Sequence, residues 1–218
     1  AVGRQISTTV PFYVSGDLLK KGMLDYSLSL GQLRENYGIK NFDYGDFITS
    51  FDTRYGVNNW LTGEFHVEGN DKIWNTGVGA VFSIKNFGVL NTSYTHSFVE
   101  ESPFSTGSNT GEGHQFTVGY QYQQSHFGFN AAHTRRDENF SNLENYYSSN
   151  LGSVNSEEST NANIFISGKN TGTFGVGYFN IKRSNFDNTE LLSLSWAPVL
   201  PPFLYGASVS LSANQDLN

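Results

Sequence analysis

The chain has 218 residues, no cysteine and a formal net charge of −7, with charged residues at 15% and aromatics also at 15%. The acidic balance excludes a nucleic-acid binder, which needs a basic footprint, and the absence of cysteine excludes disulfides and thiolate metal sites. No apolar run approaches the ~20 residues of a spanning helix, so a helical membrane protein is excluded too.

Soluble domains carry charge on roughly a quarter of their residues, yet here low charge goes with only 37% hydrophobic residues. A transmembrane β-barrel combines the two, because only every second side chain of a strand meets lipid.

In chain order, residues 1–22 read as an extended linker that closes one unit and leads into the next, since Pro11 and Gly16 interrupt any strand. Ala1-Val2-Gly3-Arg4 has no apolar signal core, so either a signal peptide has been removed or this is an internal piece of a longer protein, and the internal piece is the expectation. Eleven strand candidates follow, near 23–33, 46–55, 60–68, 75–84, 88–97, 114–123, 127–136, 160–168, 173–182, 190–197 and 203–213.

The clearest is the hairpin Gln115–Thr134. Phe116, Val118, Tyr120 and Tyr122 alternate with Gln115, Thr117, Gly119 and Gln121; after Gln124-Ser125, Phe127, Phe129 and Ala131 alternate with Gly128, Asn130 and Ala132. Period two sends these sets to opposite faces. The polar face is small and almost uncharged, unlike the solvent face of a soluble sandwich. The same apolar phase recurs in Tyr26, Leu28 and Leu30, in Val78, Ala80 and Phe82, in Ile164 and Ile166, and in Tyr205, Ala207, Val209 and Leu211. The fold expected is all-β: an antiparallel transmembrane β-barrel segment of about eleven strands, part of a larger barrel.

The connections are expected to alternate. Short turns are placed at 56–59, 85–87, 124–125, 169–172 and 198–202, and longer polar links at 34–45, 69–74, 98–113, 137–159 and 183–189. Outer-membrane barrels do this, with short periplasmic turns and long external loops. Aromatics flank the turns in pairs that suit an interfacial girdle, although Trp60 is out of phase with its strand.

Val10, Pro11, Phe12, Leu18, Leu19, Lys21, Gly22, Tyr26, Ser27, Gly31 and Arg34, with the later Tyr44-Gly45-Asp46, Tyr55-Gly56 and Leu61-Thr62, form a pattern that resembles the outer-membrane fimbrial usher family. The resemblance implies a run of wall strands (23–218) following a plug domain, with 1–22 as the linker leaving the plug. It further implies pilus subunits and periplasmic chaperone–subunit complexes as partners of the full-length protein, the bacterial outer membrane as its place, and no cofactor. It also implies a short helix over the lumen; Phe140, Leu143, Tyr147 and Leu151 recur at helical spacing in a stretch that otherwise reads as a Ser/Asn-rich loop.

The channel-lining candidates are Asp52, Arg54, Glu64, His66, Glu68 and Gln121; the lipid-facing ones are Phe116, Val118, Tyr120 and Phe129. Glu64, His66 and Glu68 share one strand face, where two carboxylates around an imidazole could hold a metal or tune a base; the reading preferred is solvated wall charge. Asp52 and Arg54 share the inward phase of the preceding strand, where they pair across the lumen, dock a plug, or simply make a locally charge-balanced wall. Asn41–Asp46 lacks the spacing of a calcium loop, no helix follows Gly77-Val78-Gly79 or Gly175-Val176-Gly177 to make a dinucleotide site, and no catalytic motif occurs. The reading is a transport pore rather than an enzyme. Its alternatives are a small complete porin- or adhesin-like barrel and a soluble glycan-binding β-sandwich.

Overall fold

A computed structural model describes residues 18–34, 42, 44–100, 111–143, 146, 156–183, 188–199 and 209–217. Its strands are β1 (Leu24–Arg34), β2 (Tyr44–Asn58), β3 (Leu61–Gly69), β4 (Ile73–Ser83), β5 (Val89–Val99), β6 (Gly111–Gln123), β7 (Phe127–Arg136), β8 (Ser156–Gly168), β9 (Gly172–Arg183), β10 (Thr189–Ala197) and β11 (Leu211–Asp216). All eleven lie in one sheet in sequence order, each antiparallel to its neighbours, with β1 and β11 at the edges. A meander is the arrangement that alternating strands and short connections favour, because each strand pairs with the one just made.

The register holds the two faces apart along the whole sheet. Arg54 stands opposite Glu64, Glu64 opposite Gly79, Gly79 opposite Ser93, Ser93 opposite Thr117, and Thr117 opposite Thr134. One residue over, Phe65, Val78, Tyr94 and Phe116 form the matching row on the other face. A slip by one would exchange the faces.

Three boundaries differ from expectation. The link between β3 and β4 is not long: it is Asn70–Lys72, tied by the Asn70 side chain, whose Oδ1 accepts from the amides of Lys72 (2.9 Å) and Ile73 (3.0 Å). An Asx side chain mimics a backbone turn and closes such links tightly. At the other end, the described strand β11 pairs with β10 from Leu211, opposite Trp196, and runs to Asp216, beyond the expected end at 213; of the expected turn and strand, 200–208 lie outside the described residues. Tyr205 and Ala207 lie outside the described residues. β8 starts at Ser156, four residues early, with a bulge between Ser156 and Glu158.

Little of the molecule is a conventional core. Most of the large exposed apolar side chains, from Leu24 and Tyr26 to Trp196 and Leu211, lie on one face of the sheet. The buried residues cluster on the other face, and most of them are polar.

Candidate functional site

The polar face of β2–β4 gathers the charges. Arg54 Nε lies 2.8 Å from Glu64 Oε1, and the Glu64 side chain is almost fully buried. His66 Nδ1 lies 2.6 Å from Asp52 Oδ1, and its Nε2 lies 3.6 Å from Glu68 Oε2. Asn75 Nδ2 donates to Glu68 Oε1 at 3.1 Å. Direct cross-strand opposition (Arg54 with Glu64, Asp52 with His66) makes these contacts, since opposed side chains in an antiparallel pair sit within hydrogen-bond reach. The ladder continues without carboxylates through Arg136 Nε, which donates to Gln115 Oε1 at 2.6 Å, and through the Thr117 and Thr134 hydroxyls at 3.1 Å.

The trio Glu64, His66 and Glu68 therefore does not act together. Glu64 is taken up by Arg54, and His66 sits between Asp52 and Glu68. Among the described residues no three His, Asp or Glu side chains converge as metal ligands.

Two pieces of chain lie over this face. At the loop end, the β7–β8 connection folds inward. Phe140, Asn142 and Tyr146 are buried, Tyr146 packing with Ile73, Val99 and Leu143. The Ser141 amide donates to Ser97 Oγ at 3.2 Å. Gly113 makes the approach possible, because a Cβ there would run into the Phe140 backbone. Beneath lies a cavity of about 10 Å³, the space of one water, lined by His66, Glu68, Asn75, Thr95, Gln115, Phe140 and Asn142. The Tyr146 amide bonds the Asn142 carbonyl at 2.9 Å, a helical i to i+4 spacing. The buried aromatics are thus Phe140 and Tyr146; of the expected stripe, Tyr147 and Leu151 lie outside the described residues.

At the turn end, Leu18–Gly22 is strapped across the same face. Leu18 packs on fully buried Val81 and on Val89. The Leu19 amide donates to Thr62 Oγ1 at 2.9 Å, and the Gly22 amide to the Gly56 carbonyl at 2.7 Å. Gly56 is necessary, because a side chain there would meet the Lys20 carbonyl.

All six channel-lining candidates (Asp52, Arg54, Glu64, His66, Glu68 and, opposite Asn130, Gln121) share the polar face, and Phe116, Val118, Tyr120 and Phe129 share the apolar one. Carrying period two further would have added Asn75, Thr95 and Gln115. Nothing local marks Asn142 or Tyr146.

The apolar face ends at the turns in ring pairs. Phe174 stacks on Trp196 at 5.6 Å, Tyr122 tilts on Phe127 at 6.0 Å, and Trp60, from its turn, reaches Phe82 at 6.4 Å. The band is also oblique to the hydrogen-bonded rows. Phe51 is mid-band on β2, but its row passes through Val67 and Thr76 to His96 and His114. Val176 is mid-band on β9, but its row reaches Tyr122 at the turn end of β6. The band slips by about one residue per strand. With ~3.3 Å per residue and ~4.8 Å between strands, that is a tilt of roughly 35°, the lower end of the range in outer-membrane barrels.

A tilted antiparallel meander, apolar and aromatic outside, polar and charge-paired inside, is the wall of an outer-membrane β-barrel. No helix among the described residues is long and apolar enough to cross a membrane, and the crossing elements are strands. Residues 1–216 match the family model "Outer membrane usher protein", and the chain belongs to that family, whose place is the outer membrane. Two solved structures are similar in fold. One is the translocation pore of the P pilus usher PapC (TM-score 0.72, 19% identity, 91% of this chain and 40% of that one). The other is an E. coli P pilus tip assembly intermediate of PapC, PapD, PapK and PapG (TM-score 0.76, 18% identity, 92% and 25%). The chain thus spans about two-fifths or less of those pore proteins. No curated protein sequence matches it. One continuous sheet rather than two packed sheets removes the soluble sandwich, and the family match takes the place of the small porin- or adhesin-like barrel.

Proposed function

We propose that this chain is the run of wall strands that follows the plug in an usher pore, with 1–22 the linker leaving the plug and 23–218 the wall. The full-length protein assembles and translocates pilus subunits delivered by a periplasmic chaperone, with no catalytic step. Asp52, Arg54, Glu64, His66, Glu68 and Gln121 face the channel; Phe116, Val118, Tyr120 and Phe129 face lipid. The observation that carries this reading is the inner face, where Ser, Thr, Asn, Gly and Gln predominate and the charges of β2–β3 meet in opposite-sign contacts. A folded subunit slides past such a wall, whereas a greasy or singly charged one would hold it. The pilus structure noted above, in which a relative is joined to PapD, PapK and PapG, supports the class of partner.

The test places single lysines at inward Gln121 and Asn130 in the full-length protein. Barrel folding, read by heat-modifiable gel mobility, should be unchanged while surface pilus assembly falls. Normal assembly with both lysines in place would reject the wall as the passage.

A further inference from the structure

On the apolar face, the chemistry changes two residues above the band toward the loop end, and it does so on adjacent strands. On β7, Ala131 gives way to His133 and Arg135; on β8, Ala162 to Thr160 and Glu158; on β9, Tyr178 to Asn180 and Lys182. Arg135 stands opposite Glu158, and Glu158 opposite Lys182. Lys182 Nζ takes the carboxylate at 2.9 Å, with its own side chain half exposed. Arg135 is left exposed beside an acid already engaged. Of the other acids on this face, Glu190 accepts from the Tyr178 hydroxyl at 2.9 Å, and Glu112 lies 3.4 Å from His96. His133 Nδ1 is 2.8 Å from Thr160 Oγ1, which directs the ring along the sheet beside the cations.

This cationic corner cannot face hydrocarbon cheaply, nor does it face the channel, because period two points it outward. It begins where the apolar band stops, on the side of the longer loops. We propose that Arg135 and Lys182, on the strands either side of Glu158, form a binding site for the phosphate of an outer-leaflet lipid headgroup, whose acyl chains lie on the adjoining band of Ala131, Ala162, Ile164 and Tyr178. The inference rests on the reading that this face meets the membrane. A guanidinium and an ammonium group on one face, separated by one strand, offer a phosphate several charge-assisted donors. The glutamate between them holds Lys182 in place and limits the repulsion between the two cations.

The test uses full-length protein in phosphatidylcholine nanodiscs doped with diphosphoryl lipid A or with the same lipid stripped of phosphate, counting retained lipid A by native mass spectrometry. Wild type should retain the diphosphoryl form, and the charge-neutral double variant Arg135→Gln with Lys182→Gln should retain roughly tenfold less or lower still, as loss of two cations beside an anionic headgroup implies. Lys85→Gln with Lys169→Gln, at the turn end, should leave retention unchanged. Equal retention by wild type and the Arg135/Lys182 variant, or equal retention of the two lipids, would overturn the site. So would displacement by inorganic phosphate alone, or crosslinking of Arg135→Cys to a second copy. Quenching of a fluorophore at Val118→Cys by brominated lipid tells the two readings apart: quenching with no dependence on Arg135 and Lys182 leaves the membrane face standing and removes only the headgroup site.

Discussion

Gly113 on β6 lies directly beneath the backbone of Phe140, so close that a single added Cβ would overlap the Phe140 amide and Cα. A wall residue thereby decides whether the β7–β8 connection can lie down over Asn75, Thr95 and Gln115. Overpacking such a contact costs about 1–3 kcal/mol. Gly113→Val should lift the connection. The natural chain has no cysteine, so Asn142→Cys reports the change: buried now, it should react with a hydrophilic thiol reagent roughly tenfold faster in the Gly113 variant, the factor that ~1.4 kcal/mol represents. Unchanged labelling would mean the cover does not depend on this contact.

The pair Arg54–Glu64 should be asymmetric under mutation. Arg54→Ala leaves a buried carboxylate without its partner, and breaking a buried pair costs about 3–5 kcal/mol. Because Arg54 is itself 22% exposed, screening lowers this to roughly 2–3 kcal/mol. Adding Glu64→Gln should return most of the loss. Urea unfolding in detergent, run as a double-mutant cycle, measures the coupling; additive effects would show that the two groups do not interact.

The faces of β6 should answer oppositely to charge. Val118→Arg places a cation in the apolar band, at a cost of ~2–4 kcal/mol near its middle. Gln121→Arg, three residues away and on the other face, should be nearly neutral for folding. Heat-modifiable mobility separates the outcomes, and equal damage from both would reject the assignment.

The strap at the turn end depends on Gly56. Gly56→Val would collide with the Lys20 carbonyl and part Leu18 from Val81. Limited proteolysis near Lys20 and Lys21 should accelerate in that variant while the barrel keeps its mobility on gels. No acceleration would mean that the strap holds by other contacts.

Both sheet edges should need partners. β1 presents Leu24, Tyr26, Leu28 and Leu30 exposed, and its outer backbone groups face no described strand. An unpaired edge in lipid costs several kcal/mol per group, and in water it templates aggregation. Residues 1–218 expressed alone should therefore aggregate rather than refold as a monomer in detergent, as judged by light scattering after size exclusion. A closed, monodisperse product would contradict this.

Period two by itself determined the faces and meander order of the strands and most of their positions, β11 excepted, because alternation is a local consequence of the pleat and an antiparallel neighbour needs only a short connection. That is why Phe116, Val118 and Tyr120 were separable from Gln121 with no coordinates, and why Asp52, Arg54, Glu64 and His66 were assigned to one face together. Which of them pair was not local: that His66 goes to Asp52 while Glu64 goes to Arg54 depends on the register between β2 and β3, and one residue of slip would have redealt every contact. The two coverings were further out of reach. Phe140, Asn142 and Tyr146 are buried by strands that lie up to seventy-odd positions earlier, and Leu18 by Val81 and Val89. The start of β11 at Leu211 was set by its pairing opposite Trp196, not by its own alternation. Alternation is written into neighbouring residues, whereas register and the docking of connections are decided by contacts between residues far apart in the chain.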